Sequence, residues 1–380
     1  MKKMRIVSLL MVAVMLTGAF AGCKSKKSDT IKIGGLAPLT GGVAQYGQAV
    51  DNAVKIAIEE INAKGGVLGK QIEYKSVDEK GDPTEAVNAY YSLAEEGIVA
   101  LIGDVTSKPS KSVAEKAAED NMPMITPSGS EESITASGTN VFRTCFIDPY
   151  QGKLMATYAN KELGAKSAAI LFDTGDPYST GIADAFEDTA KALGMTVTNN
   201  EGYASGSTDF KTQLTKIQKS KPDVLLLPVY YSDVALIAAQ AKQLGITAKL
   251  LGGDGWAGVL NQIDENNIDV LANAYFCNQF DPTSTDQEMQ DFLKKYRERY
   301  DAEPIMFSVL GYDTAYILAA AIEKAGSTDA DKIIAELNKT DYDGLTGKTV
   351  FNEKRNPVRQ AYITTFDGKK EKVLQSYSVD

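Results

Sequence analysis

The feature that most constrains the fold is a regular alternation of strand-like and helix-like segments along nearly the whole chain. Short apolar runs, such as residues 31–38, 99–103 and 223–228, alternate with stretches whose apolar residues recur every three or four positions. In residues 49–61 this spacing predicts a helix, which Gly65 and Gly66 end. Strands that alternate with helices predict parallel sheets covered by helices on both faces.

The strand–helix units are too many for one typical α/β domain. The chain has 380 residues, which is enough for two domains of roughly 150 residues each. We therefore predict two α/β lobes. In open α/β sheets ligands bind beyond the carboxyl ends of the strands, so polar residues that directly follow a strand are the candidates for a binding site.

Four loops after predicted strands carry such residues, at positions 103–110, 126–130, 228–233 and 252–256. The hydroxyl groups of the first two loops, with a helix N-terminus, suit a carboxylate. The acid Asp254, which lies beside tyrosines, suits an ammonium group. Together the loops predict a pocket for a zwitterion, although helix capping by Ser and Thr would explain any one loop taken alone.

The composition argues against several other functions. The chain contains no histidine, which excludes Ser-His-Asp and Cys-His catalysis and imidazole metal sites. The formal net charge of -10 argues against nucleic acid as a partner. No nucleophile with an activating base can be identified, so we expect no enzymatic activity, no catalytic residues, no metal and no cofactor.

A Gly-rich motif at residues 253–258 matches the pattern G-x-G-x-x-G after a strand. Dinucleotide binding also requires a helix directly after the motif and an acid at the end of a second strand about 20 residues on. The sequence continues instead through the polar stretch at residues 261–267. We therefore do not predict nucleotide binding.

The N-terminus has the pattern of a secretory signal peptide. Lys2, Lys3 and Arg5 precede an apolar run at residues 6–16 and then small residues up to Cys23. The apolar run is shorter than the roughly 20 residues of a membrane-spanning helix. Residues 20–23 resemble a bacterial lipobox, which makes Cys23 the expected lipidated residue and residues 23–30 a tether. A plain secretory signal with an incidental Cys23 is the alternative.

Nearly the whole mature chain resembles the leucine/isoleucine/valine-binding family of periplasmic binding proteins. No single segment is specific, but the order and spacing of the segments together are. The segments that carry the resemblance are residues 39–47, 60–69, 101–107, 123–128, 141–143, 148–152, 178–181, 208–210, 222–223 and 311–313.

The resemblance implies a type I periplasmic binding protein fold, in which two Rossmann-like lobes with parallel sheets are joined by a three-strand hinge and close over the ligand. We expect a signal peptide at 1–22, lobe 1 at 31–147 and 279–346, and lobe 2 at 148–278 and 347–380. The implied function is the extracytoplasmic, lipid-anchored substrate-binding component of an ABC importer. It would be a monomer that delivers branched-chain or other apolar amino acids to a membrane permease.

The resemblance also implies roles for individual residues. Ser107 would hold the ligand's α-carboxylate, while Ser128 and Ser130 would hold the ammonium from the first lobe and Asp254 from the second. The remaining expected ligand contacts are Tyr46, Val105, Thr106, Tyr178, Tyr230 and Phe307.

Two further questions stay open at this stage. Cys145 and Cys277 both lie near expected hinge strands, so they are either neighbours that form a disulfide or two small buried thiols. The same fold also serves ligand sensors, so a sensing protein for amides or other small carboxylates is the alternative function.

Overall fold

The computed structural model describes residues 30–379. The predicted signal peptide, Cys23 and residues 23–29 of the tether lie outside the described residues. Residues from Ile31 onward form one compact unit. No helix among the described residues has both the length and the apolar character needed to cross a membrane.

The first sheet has five parallel strands. Along the sheet they are ordered β2-β1-β3-β4-β5, so the chain winds outward from β1 in both directions. The strands are β1 (Ile31–Ala37), β2 (Ile72–Asp78), β3 (Ala100–Ile102), β4 (Met124–Thr126) and β5 (Val141–Arg143).

Helices connect and cover these strands. They are α1 (Ala44–Ala63), α2 (Pro83–Glu95), α3 (Ser107–Glu119) and the short α4 (Ser133–Ala136). The helix that the spacing predicts at 49–61 therefore begins five residues earlier. Gly47 explains the close packing of its first turn, because a Cβ atom there would lie 2.1 Å from the carbonyl oxygen of Pro38.

The second sheet repeats the same winding. Its five parallel strands are ordered β7-β6-β8-β9-β10, and an antiparallel hairpin, β13-β14, extends the β10 edge. The strands are β6 (Ser167–Asp173), β7 (Thr196–Tyr203), β8 (Val224–Leu227), β9 (Lys249–Gly252), β10 (Ala274–Asn278), β13 (Ala361–Asp367) and β14 (Lys370–Tyr377). The accompanying helices are α5 (Asp148–Lys161), α6 (Pro177–Ala192), α7 (Lys211–Ser220) and α8 (Tyr231–Gln243).

Between β10 and β13 the chain returns to the first sheet. Helices α9 (Gln287–Tyr300) and α10 (Met306–Ala325) pack on α1, and α11 (Ala330–Leu337) packs on α10. A small antiparallel pair follows, formed by β11 (Asp341–Gly344) and β12 (Gly347–Val350). Within the described residues the chain thus crosses between the sheets three times: after β5, after β10 and before β13.

Residues 347–359 depart from the predicted lobe assignment. The sequence places them in lobe 2, but their contacts are with the first sheet and its loops. Phe351 packs against Phe142 with ring centroids 5.2 Å apart. The side chain of Arg355 donates to the carbonyl oxygens of Val141 and Thr135. Pairing of β12 with β11 fixes this segment before the chain crosses, so the third crossing lies near residue 360; the other lobe boundaries stay predictions.

Candidate functional site

The candidate site lies between the two sheets, where the carboxyl ends of the strands of one sheet face those of the other. In each sheet the winding reverses next to the first strand, and such a reversal leaves a crevice between the loops on either side of it. The loops after β3 and β4 meet the loops after β6, β8 and β9 across this crevice. A narrow cavity lies between them.

All ten residues that the resemblance assigned to the ligand line this one cavity. They are Tyr46, Val105, Thr106, Ser107, Ser128, Ser130, Tyr178, Tyr230, Asp254 and Phe307. Nine of these side chains are buried and Tyr230 is half-buried. The structure therefore brings the predicted set together, while the contact that each residue makes with a ligand stays a prediction.

One end of the cavity is formed by the start of α3. Ser107 is the first residue of this 13-residue helix, and no acid lies in its first turn. The first N–H groups of a helix have no partner within the helix, and the helix dipole is positive at that end. This end of the cavity is therefore suited to a carboxylate.

Hydrogen bonds join the loops after β3 and β4 into one unit. The hydroxyl of Ser128 donates to the carbonyl oxygen of Val105 (2.7 Å), and the backbone N–H of Glu131 donates to Ser107 Oγ (3.2 Å). Arg143 supports the second loop from below, because its buried guanidinium donates to the carbonyl oxygens of Gly129 and Glu131. The part of the cavity lining formed by these two loops, with Ser107, Ser128 and Ser130, is called the hydroxyl-bearing wall. These hydrogen bonds hold it in one arrangement.

The cavity lining also includes the buried carboxyl group of Asp254, which follows β9. Burial raises the pKa of Asp254 to about 6, although hydrogen bonds from Tyr178 and Gln151 oppose the shift. Asp254 is therefore mostly ionised at neutral pH although its carboxyl group is buried. A cation beside it would recover part of the cost of burying this charge.

Aromatic rings form much of the remaining cavity lining. Tyr178 and Tyr230 stack with ring centroids 4.9 Å apart. Tyr46 packs against Phe307 at 4.5 Å and against Tyr230 at 5.7 Å. Burial raises the pKa of the Tyr46, Tyr178 and Tyr230 hydroxyls, so all three are neutral at physiological pH.

Tyr46 also links the two sides of the cleft. Its hydroxyl donates to the carbonyl oxygen of Gly255 (2.5 Å) and accepts from the backbone N–H of Tyr231 (3.1 Å). Tyr46 lies on α1, whereas Gly255 lies in the 3₁₀ turn after β9 and Tyr231 begins α8, both on the side of the second sheet. The hydroxyl of Tyr231 in turn accepts from the backbone N–H of Gln45 (3.3 Å).

Sequence reasoning missed Gln151, which positions Asp254. Its side-chain oxygen accepts from the backbone N–H of Asp254 (2.8 Å) and from the thiol of Cys277 (3.3 Å). Gln151 lies in one of the segments that carry the family resemblance, but nothing in the local pattern assigns it a contact. Cys145 and Cys277 are both buried, and within the described residues both are free thiols.

The Gly-rich motif at residues 253–258 lies in the wall of the cavity. A short 3₁₀ turn, Asp254–Trp256, begins inside the motif, and a second 3₁₀ turn, Val259–Asn261, follows it. The motif is therefore not followed directly by the α-helix that a dinucleotide site requires.

The two sheets have the same strand order, the chain crosses between them three times, and a buried cavity lies between them. This architecture defines a two-lobed binding protein. Comparison with known proteins supplies the family: a family model described as periplasmic binding protein matches residues 30–371. The chain belongs to this family, and within it to the leucine/isoleucine/valine-binding proteins. The fold is that of a type I periplasmic binding protein, which places the chain among extracytoplasmic substrate-binding proteins.

Individual relatives agree with this assignment. The Leu/Ile/Val-binding protein BraC3 of Rhizobium johnstonii is 33% identical over 335 residues, which cover 87% of this chain and 90% of that protein. The leucine binding protein LivK of Thermotoga maritima superposes with a TM-score of 0.85 at 32% identity, covering 92% of this chain and 99% of that one. LivJ of Streptococcus pneumoniae, solved in complex with isoleucine, has a TM-score of 0.84, 32% identity and the same coverage.

Proposed function

We propose that this protein is the substrate-binding component of an ABC importer and captures leucine, isoleucine, valine or another small apolar amino acid. The observation that carries the proposal is the polarity of the cavity. A helix N-terminus with hydroxyl groups, a buried carboxylate and a set of aromatic rings all line this one cavity.

The α-carboxylate of the ligand would lie against the start of α3. Ser107 would donate its hydroxyl and its backbone N–H, and Ser130 would donate a backbone N–H. Several hydrogen bonds to one carboxylate, reinforced by the helix dipole, favour the ionised form of that group. The fixed geometry of the two loops means that little ordering is needed when the ligand binds.

The ammonium group would lie against Asp254, with the carbonyl oxygen of Ser128 and the hydroxyl of Ser130 completing its contacts. Asp254 comes from the second sheet and the two serines come from the first. Full coordination of the ammonium therefore requires both sides of the cleft. This requirement couples ligand binding to closure of the two lobes.

The apolar side chain would lie against Tyr46, Phe307, Tyr178 and Tyr230, with Val105 and Thr106 beside it. The aromatic lining favours an apolar side chain over a charged one.

A thermal-shift screen tests this proposal. The soluble form that begins at Lys24 is denatured, refolded without ligand and screened against the twenty amino acids and a few amides. A shift confined to leucine, isoleucine, valine and similar ligands is expected, because selective binding stabilises the folded state by mass action. Shifts with amides or other small carboxylates alone would favour the sensor, and no shift with any amino acid would contradict the proposal.

We further propose that Cys23 carries a lipid anchor and that the protein acts as a monomer beside its permease. The support is the lipobox-like sequence at residues 20–23 and the polar tether at 23–30. Cell fractionation tests the anchor: the unaltered chain should sediment with membranes and Cys23→Ser should not. Light scattering of the soluble form should give the mass of one chain.

A further inference from the structure

Two buried carboxyl groups lie side by side behind the hydroxyl-bearing wall of the cavity. Glu79 follows β2 and Asp104 follows β3, so the two residues flank β1 at the carboxyl edge of the first sheet. Both residues have no exposed surface. Their side chains lie within hydrogen-bonding reach of each other.

Each carboxyl group has one oxygen with a donor and one without. Glu79 Oε2 accepts from the backbone N–H of Gly81 (2.8 Å), and Asp104 Oδ1 accepts from the backbone N–H of Val105. Among residues 30–379, Glu79 Oε1 and Asp104 Oδ2 have no hydrogen-bond donor. Two adjacent buried carboxylates cannot both stay ionised, and one proton between these two oxygens would satisfy both.

The charged groups nearby do not neutralise the pair. Asp78 adds negative charge and accepts from Leu39 and Thr40, while Asp82 caps α2. Lys80 forms an exposed ion pair with Glu85, and the exposed Lys108 donates to the carbonyl oxygen of Gly175. Burial, together with the charge of Asp104, raises the pKa of Glu79, and burial also raises the pKa of Asp104.

Asp104 is connected directly to the residues that line the cavity. Its side chain accepts from the N–H of Val105, and its carbonyl oxygen accepts from Thr126 Oγ1 (2.6 Å). The carbonyl oxygen of Val105 accepts from Ser128 Oγ. A displacement of Asp104 would therefore move both loops that carry the hydroxyl groups.

We propose that Glu79 and Asp104 share one proton, and that this proton holds residues 105–107 in the position that receives the ligand's carboxylate, so that affinity falls in alkaline solution. The positioning role rests on the proposed function. Loss of the proton leaves two adjacent buried negative charges, which repel each other and lie behind a site for a third negative charge.

The sign of the effect on stability follows from the same proton. In the unfolded chain both carboxyl groups lose their protons in mildly acidic solution, whereas the folded pair keeps one proton well above that range. The pair's contribution to stability is therefore fully present in acid and is lost as the pH rises through the raised pKa.

Glu79→Gln tests the proposal, because an amide can donate to Asp104 at every pH and still accept from Gly81. Affinity for the best amino acid and the unfolding temperature without ligand are measured for both proteins from pH 6.5 to 9.5. The unaltered protein should lose affinity relative to Glu79→Gln by about tenfold per pH unit above the pair's pKa. Titration of the ligand's own amine cancels in this ratio. Glu85→Gln, at an exposed carboxyl on α2, is the matched control and should follow the unaltered protein.

Parallel affinity profiles for the unaltered protein and Glu79→Gln would overturn the positioning role, and parallel unfolding profiles would overturn the shared proton. The unfolding measurement needs no ligand, so it tests the pair even if no amino acid binds and the proposed function fails. If Glu79→Gln does not fold, Asp104→Asn replaces it, since its amide can donate to Glu79 Oε1. Subtracting the infrared spectrum of either variant from that of the unaltered protein should leave a protonated-carboxyl band at neutral pH, which gives an independent readout.

Discussion

The side-chain oxygen of Gln151 accepts a hydrogen bond from the backbone N–H of Asp254 at 2.8 Å. Gln151 lies in the first turn of α5, directly after the first crossing between the sheets, and it also accepts from the thiol of Cys277 at the end of β10. One buried amide therefore connects two of the crossings to the carboxylate of the candidate site. All three residues belong to the second sheet and its helices, so this contact fixes the backbone of Asp254 within that side of the cleft.

Gln151→Met should weaken amino-acid binding with little change in the fold. Methionine has nearly the same length as glutamine but lacks a strong acceptor, so the buried N–H of Asp254 would lose its partner. An unsatisfied buried donor costs about 1–3 kcal/mol, and we expect affinity measured by calorimetry to fall by about five- to a hundredfold. Gln218→Met, at an exposed position on α7, should leave the affinity unchanged. Equal affinities for both variants would contradict the positioning role of Gln151.

Asp254→Asn should remove most of the affinity for amino acids and at the same time stabilise the ligand-free protein. The bound ammonium would lose its countercharge, which we expect to cost about 2 kcal/mol or more. Burial raises the pKa of Asp254 from 3.8 to about 6, so its ionised form destabilises the ligand-free fold at pH 7.5. Asparagine should therefore raise the free energy of unfolding by about 3 kcal/mol.

Denaturant unfolding and calorimetry measure the two effects of Asp254→Asn separately. Asp184→Asn, an exposed acid on α6, should change neither. A variant that binds leucine as tightly as the unaltered protein would exclude Asp254 as the ammonium contact. A similar loss of affinity for ligands that lack the amine would also count against this role.

Ligand affinity should fall in acid solution as Asp254 takes up a proton. Its pKa of about 6 in the free protein means that the competent, ionised form is in the minority below that pH. We expect affinity about tenfold lower at pH 5 than at pH 7. Asp176 also has a pKa raised to about 6 by burial, but it lies outside the cavity lining. The affinity of Asp176→Asn should therefore still fall in acid solution. An affinity of the unaltered protein that does not change between pH 5 and pH 7 would contradict the prediction.

The resemblance assigned the ten residues of the cavity lining, and local signals in the sequence located four of the loops that carry them. Ser107, Ser128 and Asp254 each follow a buried strand, and the carboxyl ends of parallel strands meet at one edge of a sheet. The pairing of Glu79 with Asp104 has no such signal. It depends on β1 lying between β2 and β3, which separates the two residues by 25 positions in the sequence but brings their side chains together.

The path of residues 347–359 could not be predicted for a similar reason. A strand-like run at residues 349–351 indicates a strand but does not show which strand it pairs with. The boundary between the lobes depends on that pairing. The structure pairs Gly347–Val350 with Asp341–Gly344, on the side of the first sheet. The local sequence pattern therefore predicted the strand, whereas only its tertiary pairing shows which lobe it belongs to.

Cys145 and Cys277 should react as two free thiols. Both lie in the buried region near the crossings, and burial raises the pKa of each thiol, to about 12 for Cys145. They should therefore react slowly in the folded protein and fully after denaturation. A thiol count on the denatured, unreduced soluble form should give two per chain. A count of zero would establish the disulfide that the sequence left open.

Tyr46→Phe should weaken ligand binding by destabilising closure of the two lobes while leaving the apolar lining in place. The Tyr46 hydroxyl joins Gly255 and Tyr231 across the cleft, and its loss leaves a buried carbonyl and a buried N–H without this partner. We expect affinity to fall by about 1–3 kcal/mol, mainly through a faster dissociation rate in stopped-flow experiments. Tyr90→Phe is the matched control, because that ring is equally buried and its hydroxyl bonds Asp120 outside the cleft. Tyr90→Phe should lower stability without changing the dissociation rate, so equal rates for the two variants would show that the Tyr46 hydroxyl does not hold the lobes together.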